Sequence, residues 1–206
     1  MDQKTEEWFS ARLGKVTASK ASDVMARTKS GYSTSRDNYM MELLCQRLTG
    51  KREESFTNAA MQRGTDLEPV ARGCYEALEG VMVVECGLID HKSIVGFAAS
   101  PDGLIGNKGG LEIKCPNTKQ HVDFIRSNKP DNKYQCQMLA QMSCGGLDWV
   151  DFVSFDDRMP SELQYHKIRF MRDERRIKEM EDEVTLFLIE LAQLEQEMKV
   201  LIQSRA

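Results

Sequence analysis

Two segments of this 206-residue chain decide its fold: Ser100–Gly103 reads Ser-Pro-Asp-Gly, and Gly110–Pro116 reads Gly-Leu-Glu-Ile-Lys-Cys-Pro. Between them, Leu104–Gly110 has the apolar start and glycine-rich centre of a β-hairpin. Asp102 and Glu112 therefore fall on two strands joined by a tight turn, where their carboxylates can approach each other. The pattern predicts a strand pair that brings two acids together.

Glu112 and Lys114 are two residues apart, so on a strand both side chains point to one face. Ile113 between them points to the opposite face, into a core. Mg²⁺ binds through one or two carboxylates and takes the rest of its shell from water and substrate phosphate. The segment therefore predicts a metal-dependent site that cleaves phosphodiesters. A common turn tripeptide and a solvated Glu-x-Lys strand face are the alternative, and the hairpin context favours the site.

Asp102 followed by Glu112–Lys114 resembles the signature of PD-(D/E)xK nucleases, and the fuller wording is similar to the phage lambda exonuclease and YqaJ-type viral recombinase family. Further segments resemble motifs of that family in the same order: Arg12–Ser19, Arg63–Arg72 and Tyr134–Gln137. The resemblance spans about residues 6–170. It implies an α/β fold with a PD-(D/E)xK nuclease core, in which helices flank a mixed central β-sheet. An N-terminal helical region would precede this core, and a long C-terminal helix would follow it.

The resemblance also implies the metal chemistry. Asp102, Glu112 and the backbone carbonyl of Ile113 would hold Mg²⁺, with Mn²⁺ as an alternative ion. Lys114 would orient the attacking water and offset the charge that builds on the phosphate.

Two further residues resemble catalytic groups of the family. Glu68 would bind a second ion or the water shell of the first, and Gln137 would contact the attacking water or the phosphate. A glutamate on a helix surface and a buried structural amide are the alternative interpretations. Met61 is a candidate for an apolar wedge that separates the terminal base pair.

Recognition of the DNA end is implied for a second group of residues. Arg12, Ser19 and Ser100 would bind a terminal 5′-phosphate, since an arginine fork and hydroxyl groups suit a phosphate monoester. A surface cation and a residue at a helix start are the alternatives for Arg12 and Ser19. Arg27 and Lys29 are candidates for contacts with the DNA backbone or minor groove.

Taken together, the resemblance predicts a Mg²⁺-dependent 5′→3′ exonuclease that acts on double-stranded DNA ends. It would release 5′-mononucleotides and leave 3′ single strands for a single-strand annealing protein in phage-type recombination. A ring-shaped homotrimer in the cytoplasm of a bacterial host, of phage or prophage type, is the expected assembly and place. The alternatives are a structure-specific or restriction-type endonuclease and a non-catalytic scaffold that binds DNA ends.

The composition of the chain limits the classes of protein to which it can belong. Hydrophobic residues make up 41% of the chain and charged residues 29%, as in an ordinary globular protein, and we expect one domain over residues 1–206. No apolar run approaches the roughly 20 residues that a bilayer span requires, so no membrane role is expected. The six cysteines form no CxxC pair and indicate a reduced protein. The net charge of −4 does not itself suggest a DNA partner, but net charge says little about local fields.

Periodicity and capping signals predict the individual elements. Helices are expected at Glu6–Arg12, Ser19–Arg27 with a cap from Thr17, Asn38–Thr49, Thr57–Leu78 as one or two helices broken or bent near Gly64, from Gln120, and at Lys133–Met142. Strands are expected at Val81–Cys86, Ile94–Ser100, Gly110–Lys114, Val150–Phe155 and Leu163–Phe170, and a flexible loop at Lys29–Ser35.

A long helix is predicted at about residues 172–203, where apolar residues alternate spacings of three and four: Ile177, Met180, Val184, Phe187, Leu191, Leu194, Met198 and Leu201. This stripe either lies on the outer face of the sheet or meets another subunit.

Overall fold

The structure, a computed structural model, describes residues 1–52 and 58–205. The described helices are α1 (Glu6–Arg12), α2 (Ala21–Val24), α3 (Thr34–Thr49), α4 (Ala59–Glu79), α5 (Thr118–Ser127), α6 (Asn132–Gly145) and α7 (Glu174–Arg205). The strands are β1 (Val16–Thr17), β2 (Arg27–Thr28), β3 (Gly31–Tyr32), β4 (Ile89–Asp90), β5 (Phe97–Ala99), β6 (Gly103–Ile105), β7 (Gly109–Lys114), β8 (Trp149–Phe155) and β9 (Tyr165–Met171). Short 3₁₀ turns cover Ala18–Lys20 and Ser161–Leu163.

A mixed sheet of order β6-β7-β8-β9 forms the centre of the protein. Strands β6 and β7 make the predicted antiparallel hairpin, and β7 runs parallel to β8. A parallel pair needs a long crossover, which α5 and α6 supply, and β9 then returns antiparallel to β8. The mixed sheet with flanking helices confirms the predicted fold class.

The two faces of this sheet enter different cores, and this explains why its strands read as nearly continuous apolar runs. On one face, Leu111 and Ile113 pack with Ala71 and Tyr75 of α4. On the other face, residues such as Phe152 pack with α3, α6 and α7. Glu112 alternates with Leu111 and Ile113, so its side chain enters the side occupied by α6.

A second sheet joins the N-terminal segment to the strand that precedes Asp102. Its order is β1-β5-β4, with β1 parallel to β5 and Val16 opposite Phe97. Because β5 ends one residue before Ser100, this pairing brings residues Arg12–Ser19 beside Ser100. Chain segments more than 80 residues apart thus meet at one edge.

The predicted helix Ser19–Arg27 is wrong in length. Only a 3₁₀ turn and the four-residue α2 form, and Thr17 makes no side-chain cap. Arg27 instead begins a hairpin of β2 and β3 that replaces the predicted flexible loop. Glu183 of α7 accepts hydrogen bonds from Arg27 and Tyr32, so tertiary contacts override the local helical pattern.

Other predicted elements also differ from the structure. The predicted strand Val81–Cys86 forms a single bridge between Val84 and Leu104, and β5 is shorter than predicted. Helix α4 passes Gly64 without a break and contains Pro69, although proline removes one helical hydrogen bond. The predicted start of this helix at Thr57 lies outside the described residues.

Helix α7 packs chiefly against helices α2, α3 and α6, and its apolar stripe enters the core on one face of the sheet. Its apolar stripe is fully buried from Ile177 to Leu191. The stripe then emerges, and Met198 and Leu201 are 37% and 44% exposed. Among the described helices, none has the length and apolarity needed to cross a bilayer.

Candidate active site

Asp102 is fixed to β7 through two hydrogen bonds. Its backbone N–H donates to the Leu111 carbonyl at 3.0 Å, and its Oδ2 accepts from the backbone N–H of Ile113 at 2.7 Å. In a strand the N–H and C=O of one residue point to the same side, so the Ile113 carbonyl is also directed toward Asp102. The side chain of Ile113 packs in the core on the opposite face. Two carboxylates and one carbonyl therefore converge here.

Glu112 is fully buried, and three side chains donate to its carboxylate. Gln137 donates to Oε1 at 2.8 Å and Gln141 donates to Oε2 at 2.5 Å, while Lys114 forms an ion pair with Oε1. The two glutamines are four residues apart on α6 and so share one helix face. Gln141 was missed from the sequence. The available signal was its spacing of four from Gln137 and its place as the polar residue in the run Met138–Met142.

The carboxylates outnumber the cations around them. Burial and the neighbouring charge of Glu112 raise the pKa of Asp102 well above its ordinary value, and Lys114 only partly opposes this effect. Burial by itself would lower the pKa of Lys114, but the charges of Glu112 and Asp102 outweigh burial and raise it. Lys114 is therefore cationic at neutral pH, and the pair still lacks a full counter-charge.

The donor set fits Mg²⁺. Among residues 1–52 and 58–205, no group of three His, Cys, Asp or Glu side chains is arranged to hold a metal. Two carboxylates with a backbone carbonyl match an ion that binds one or two carboxylates and keeps several waters. Asp102, Glu112 and the Ile113 carbonyl are the residues that would hold it.

One small cavity of about 150 Å³ contains both the acids and the predicted phosphate ligands. Its lining includes Arg12, Ser19, Ser100, Asp102, Glu112, Lys114 and Gln137. Ser100 Oγ accepts hydrogen bonds from Trp8 Nε1 at 3.0 Å and from Arg12 Nη1 at 3.4 Å. The Arg12 guanidinium stacks on the Trp8 ring at 4.1 Å. Trp8 was not singled out from the sequence, because its contact with Ser100 joins residues that are far apart in the chain.

A wider groove of about 750 Å³ opens beside the small cavity and shares Lys114 and Gln137 with it. Glu68 and Met61 line this groove but not the small cavity. Glu68 accepts a hydrogen bond from Lys4 at 2.9 Å and lies 3.6 Å from Arg72, so cations already offset its charge. Met61 is 53% exposed.

The remaining predicted residues lie elsewhere. Arg27 and Lys29 belong to the β2–β3 hairpin and line neither the small cavity nor the groove. Arg27 is paired with Glu183, whereas Lys29 is exposed at the hairpin turn. The structure therefore brings the metal and phosphate residues together but does not bring these two cations to them.

A family model described as YqaJ-like viral recombinase domain matches residues 7–148. The chain is similar to an alkaline exonuclease, LHK-Exo from Laribacter hongkongensis, with 54% identity over 98% of this chain and 100% of that one, at a TM-score of 0.92. A complex of LHK-Exo with dAMP matches at 53% identity, the same coverage and the same TM-score.

A phage-related exonuclease from Haemophilus somnus 129PT shares the fold at 18% identity, with a TM-score of 0.73 over 89% of this chain and 96% of that one. No curated protein sequence matches significantly.

Proposed function

The chain belongs to the YqaJ-like viral recombinase family and is a nuclease of the alkaline exonuclease type, and we propose that it is a Mg²⁺-dependent 5′→3′ exonuclease. Its substrate would be the end of double-stranded DNA, from which it would release 5′-mononucleotides and leave a 3′ single strand. The observation that supports this most is the single cavity that joins two under-compensated acids to Arg12, Ser19 and Ser100.

The metal would supply Lewis acidity, which polarises the scissile phosphate and lowers the pKa of a bound water. Asp102 and Glu112 would hold it, because their excess negative charge favours a divalent cation. Gln137 and Gln141 keep both oxygens of Glu112 in fixed directions. This pre-organisation reduces the reorganisation needed when the substrate arrives.

Lys114 would act on the substrate side of the acids. It is a cation held within the same cavity by its pair with Glu112, so it can orient a water or a non-bridging phosphate oxygen. Gln137 lines both the cavity and the groove and can donate its second amide hydrogen to the same phosphate. Glu68, in the groove, would act on a second ion or on ordered water.

Cleavage polarity follows from the phosphate ligands. Arg12 is a half-buried cation, and burial lowers the pKa of its guanidinium. No carboxylate of the described residues forms an ion pair with it, so a phosphate monoester would complete its charge. A terminal 5′-phosphate held there would place the next phosphodiester at the acids, and one nucleotide would be released for each cut.

The wider groove would carry the duplex, with Met61 at its entrance as a wedge between bases. Arg27 and Lys29 remain predictions for contacts with the DNA backbone outside the groove. A ring-shaped homotrimer and a single-strand annealing protein as partner, in the cytoplasm of a phage-infected bacterial host, complete the proposal. These three points are supported by the family alone.

The test compares linear duplexes that differ only in their 5′ ends. We expect 5′-phosphorylated duplex to be degraded much faster than 5′-hydroxyl duplex, and phosphorothioate blocks at the 5′ end to stop the reaction. Arg12→Ala should remove most of this preference, because a hydrogen bond to a charged group contributes roughly 1.5–3 kcal/mol. Arg175→Ala, an exposed arginine on α7, is the matched control. Equal digestion of both ends by wild type would exclude the end-reading mechanism.

Two controls separate the alternatives. Cleavage of closed circular duplex would indicate an endonuclease. Intact linear duplex in the presence of Mg²⁺, with DNA ends still bound, would indicate a non-catalytic scaffold.

A further inference from the structure

A second cavity, of about 230 Å³, adjoins the catalytic cavity. The two cavities share Trp8, Arg12 and Ser19, but neither Asp102 nor Glu112 lines the second one. Arg12 therefore stands in the wall between them. A group attached to a phosphate on Arg12, on the side away from the acids, would enter this adjoining cavity.

The walls of the adjoining cavity suit a nucleoside. Phe9 provides aromatic surface above the buried ring of Tyr39, and Arg52 provides positive charge. Lys20 also lines the cavity, but Asp23 and Glu42 offset its charge. Arg52 lies over the Phe9 ring at 3.7 Å, and Lys20 lies 5.3 Å from the centre of the Tyr39 ring. Aromatic faces combined with cations bind single-stranded nucleotides without reading their sequence, because every base has a π-face.

The positive charge of Arg12, in the wall between the two cavities, also favours a bound anion. Burial lowers the pKa of Arg12 and the charge of Arg52 acts in the same direction, whereas Tyr39 opposes them. Arg12 lines both cavities, whereas Arg52 lines only the adjoining one. A phosphate bound to Arg12 would therefore be accessible from both cavities.

We propose that the adjoining cavity binds a nucleoside on the 5′ side of the phosphate held by Arg12. The proposal rests on the exonuclease function proposed above. It implies that a DNA end without a 5′-phosphate enters one nucleotide further than a phosphorylated end. The first internal phosphodiester then occupies the position of the missing terminal phosphate.

The first cut on such an end has a defined product. Water adds to the phosphorus between the second and third nucleotides, and the bond from that phosphorus to the 3′ oxygen of the second nucleotide breaks. The leaving oxygen takes a proton. The product is a dinucleoside monophosphate with free 5′ and 3′ hydroxyls, and the remaining strand now carries a 5′-phosphate.

Later cuts return to mononucleotides, because the new end presents its own terminal phosphate. The first cut should be slower than these. An internal phosphodiester carries one negative charge, whereas a terminal monoester carries about 1.5 to 2 at neutral pH. Its attraction to Arg12 is correspondingly weaker, and two nucleotides must leave the duplex instead of one.

The experiment identifies the first product from a 5′-hydroxyl duplex by mass spectrometry, with the same duplex bearing 5′-phosphates digested in parallel. We expect a dinucleoside monophosphate from the hydroxyl end and a 5′-mononucleotide from the phosphorylated end. A free nucleoside as the first product from the hydroxyl end would overturn the proposal. Failure of the phosphorylated duplex to yield 5′-mononucleotides would instead overturn the exonuclease function itself.

Variants assign the effect to the cavity. Phe9→Ala combined with Arg52→Ala should slow initiation at 5′-hydroxyl ends by about 5-fold or more, the loss expected for one base-stacking contact. Its rate on phosphorylated ends should stay at the wild-type value. Lys51→Ala is the matched control, because Lys51 is exposed, adjacent to Arg52 and absent from the cavity lining. Dinucleoside release that both variants leave unchanged would exclude the adjoining cavity as the nucleoside site.

Discussion

Two aspartates at the ends of the central sheet, Asp156 and Asp102, have opposite charge environments. Asp156, which follows β8, accepts hydrogen bonds from Arg63 at 2.9 Å and from Arg158 at 2.7 Å. Asp102, which precedes β6, receives one backbone N–H and faces Glu112. Asp156 is fully buried and Asp102 is partly buried, but only Asp156 accepts hydrogen bonds from cations.

The pKa shifts of Asp156 and Asp102 have opposite directions for this reason. Burial would raise the pKa of Asp156, but hydrogen bonds from Arg158 and Thr118 outweigh burial and lower it. For Asp102, burial and the charge of Glu112 act in the same direction and raise the pKa. A carboxylate that the fold compensates is structural, whereas one left under-compensated in a cavity marks a place for an external cation.

The largest expected effect comes from removing the under-compensated acid. Asp102→Ala should reduce digestion of linear duplex by at least about 10³-fold, because it removes a charge needed to hold the metal at the transition state. The unfolding temperature should change little, because relief of the repulsion from Glu112 offsets the lost hydrogen bond from the Ile113 N–H. Glu112→Gln should be equally inactive despite its similar shape. Digestion by Asp102→Ala at the wild-type rate would contradict the active-site assignment.

An intermediate effect is expected at Gln141, which positions one oxygen of Glu112. Gln141→Met keeps the approximate volume but removes the donated hydrogen bond, and it should weaken Mg²⁺ binding by about 10- to 100-fold. Calorimetric titration with Mg²⁺ measures this in the absence of DNA. Gln135→Met is the control on the same helix, because Gln135 donates to the Pro130 carbonyl and not to Glu112. Equal metal affinity in both variants would show that Gln141 only fills space.

The smallest effect on activity is expected at the compensated acid. Asp156→Asn should lower the free energy of unfolding by about 1–3 kcal/mol through its lost charged hydrogen bonds, a modest value because Arg158 reaches solvent. Activity per folded molecule should be close to wild type. Asp123→Asn, at an exposed helix pair, should change stability by less than about 0.5 kcal/mol. Loss of activity in folded Asp156→Asn would break the distinction between the two aspartates.

Local signals explain why the hairpin was predictable from sequence and much of its surroundings was not. Strand alternation and the glycine-rich turn place Asp102, Glu112 and Lys114 within fifteen residues of each other. The pairing of β1 with β5, which brings Arg12 to Ser100, covers only two residues and leaves no periodic pattern. Here family motifs, not periodicity, carried the prediction.

The elements that were predicted wrongly also depend on contacts between distant parts of the chain. The segment after Ser19 has a helical pattern, but pairing within the β2–β3 hairpin and its contacts with α7 override it. Residues Val81–Cys86 are mostly apolar and β-branched like a strand, yet they meet the sheet only at the bridge between Val84 and Leu104. For α7, periodicity predicted the buried stripe but not its neighbours, which depend on how the other helices cross.

The most direct test of the central claim is the effect of Mg²⁺ on stability at pH 8. Because the folded state raises the pKa of Asp102, the free energy of unfolding of the metal-free protein falls as pH rises from the unfolded to the folded pKa. Mg²⁺ should reverse this loss and raise the unfolding temperature of wild type and of Asp156→Asn relative to EDTA. At 100-fold excess over its dissociation constant, the gain is about 2.7 kcal/mol. Asp102→Asn should be at least as stable as wild type in EDTA and should gain little from Mg²⁺. An equal Mg²⁺-dependent rise in wild type and Asp102→Asn would contradict the account.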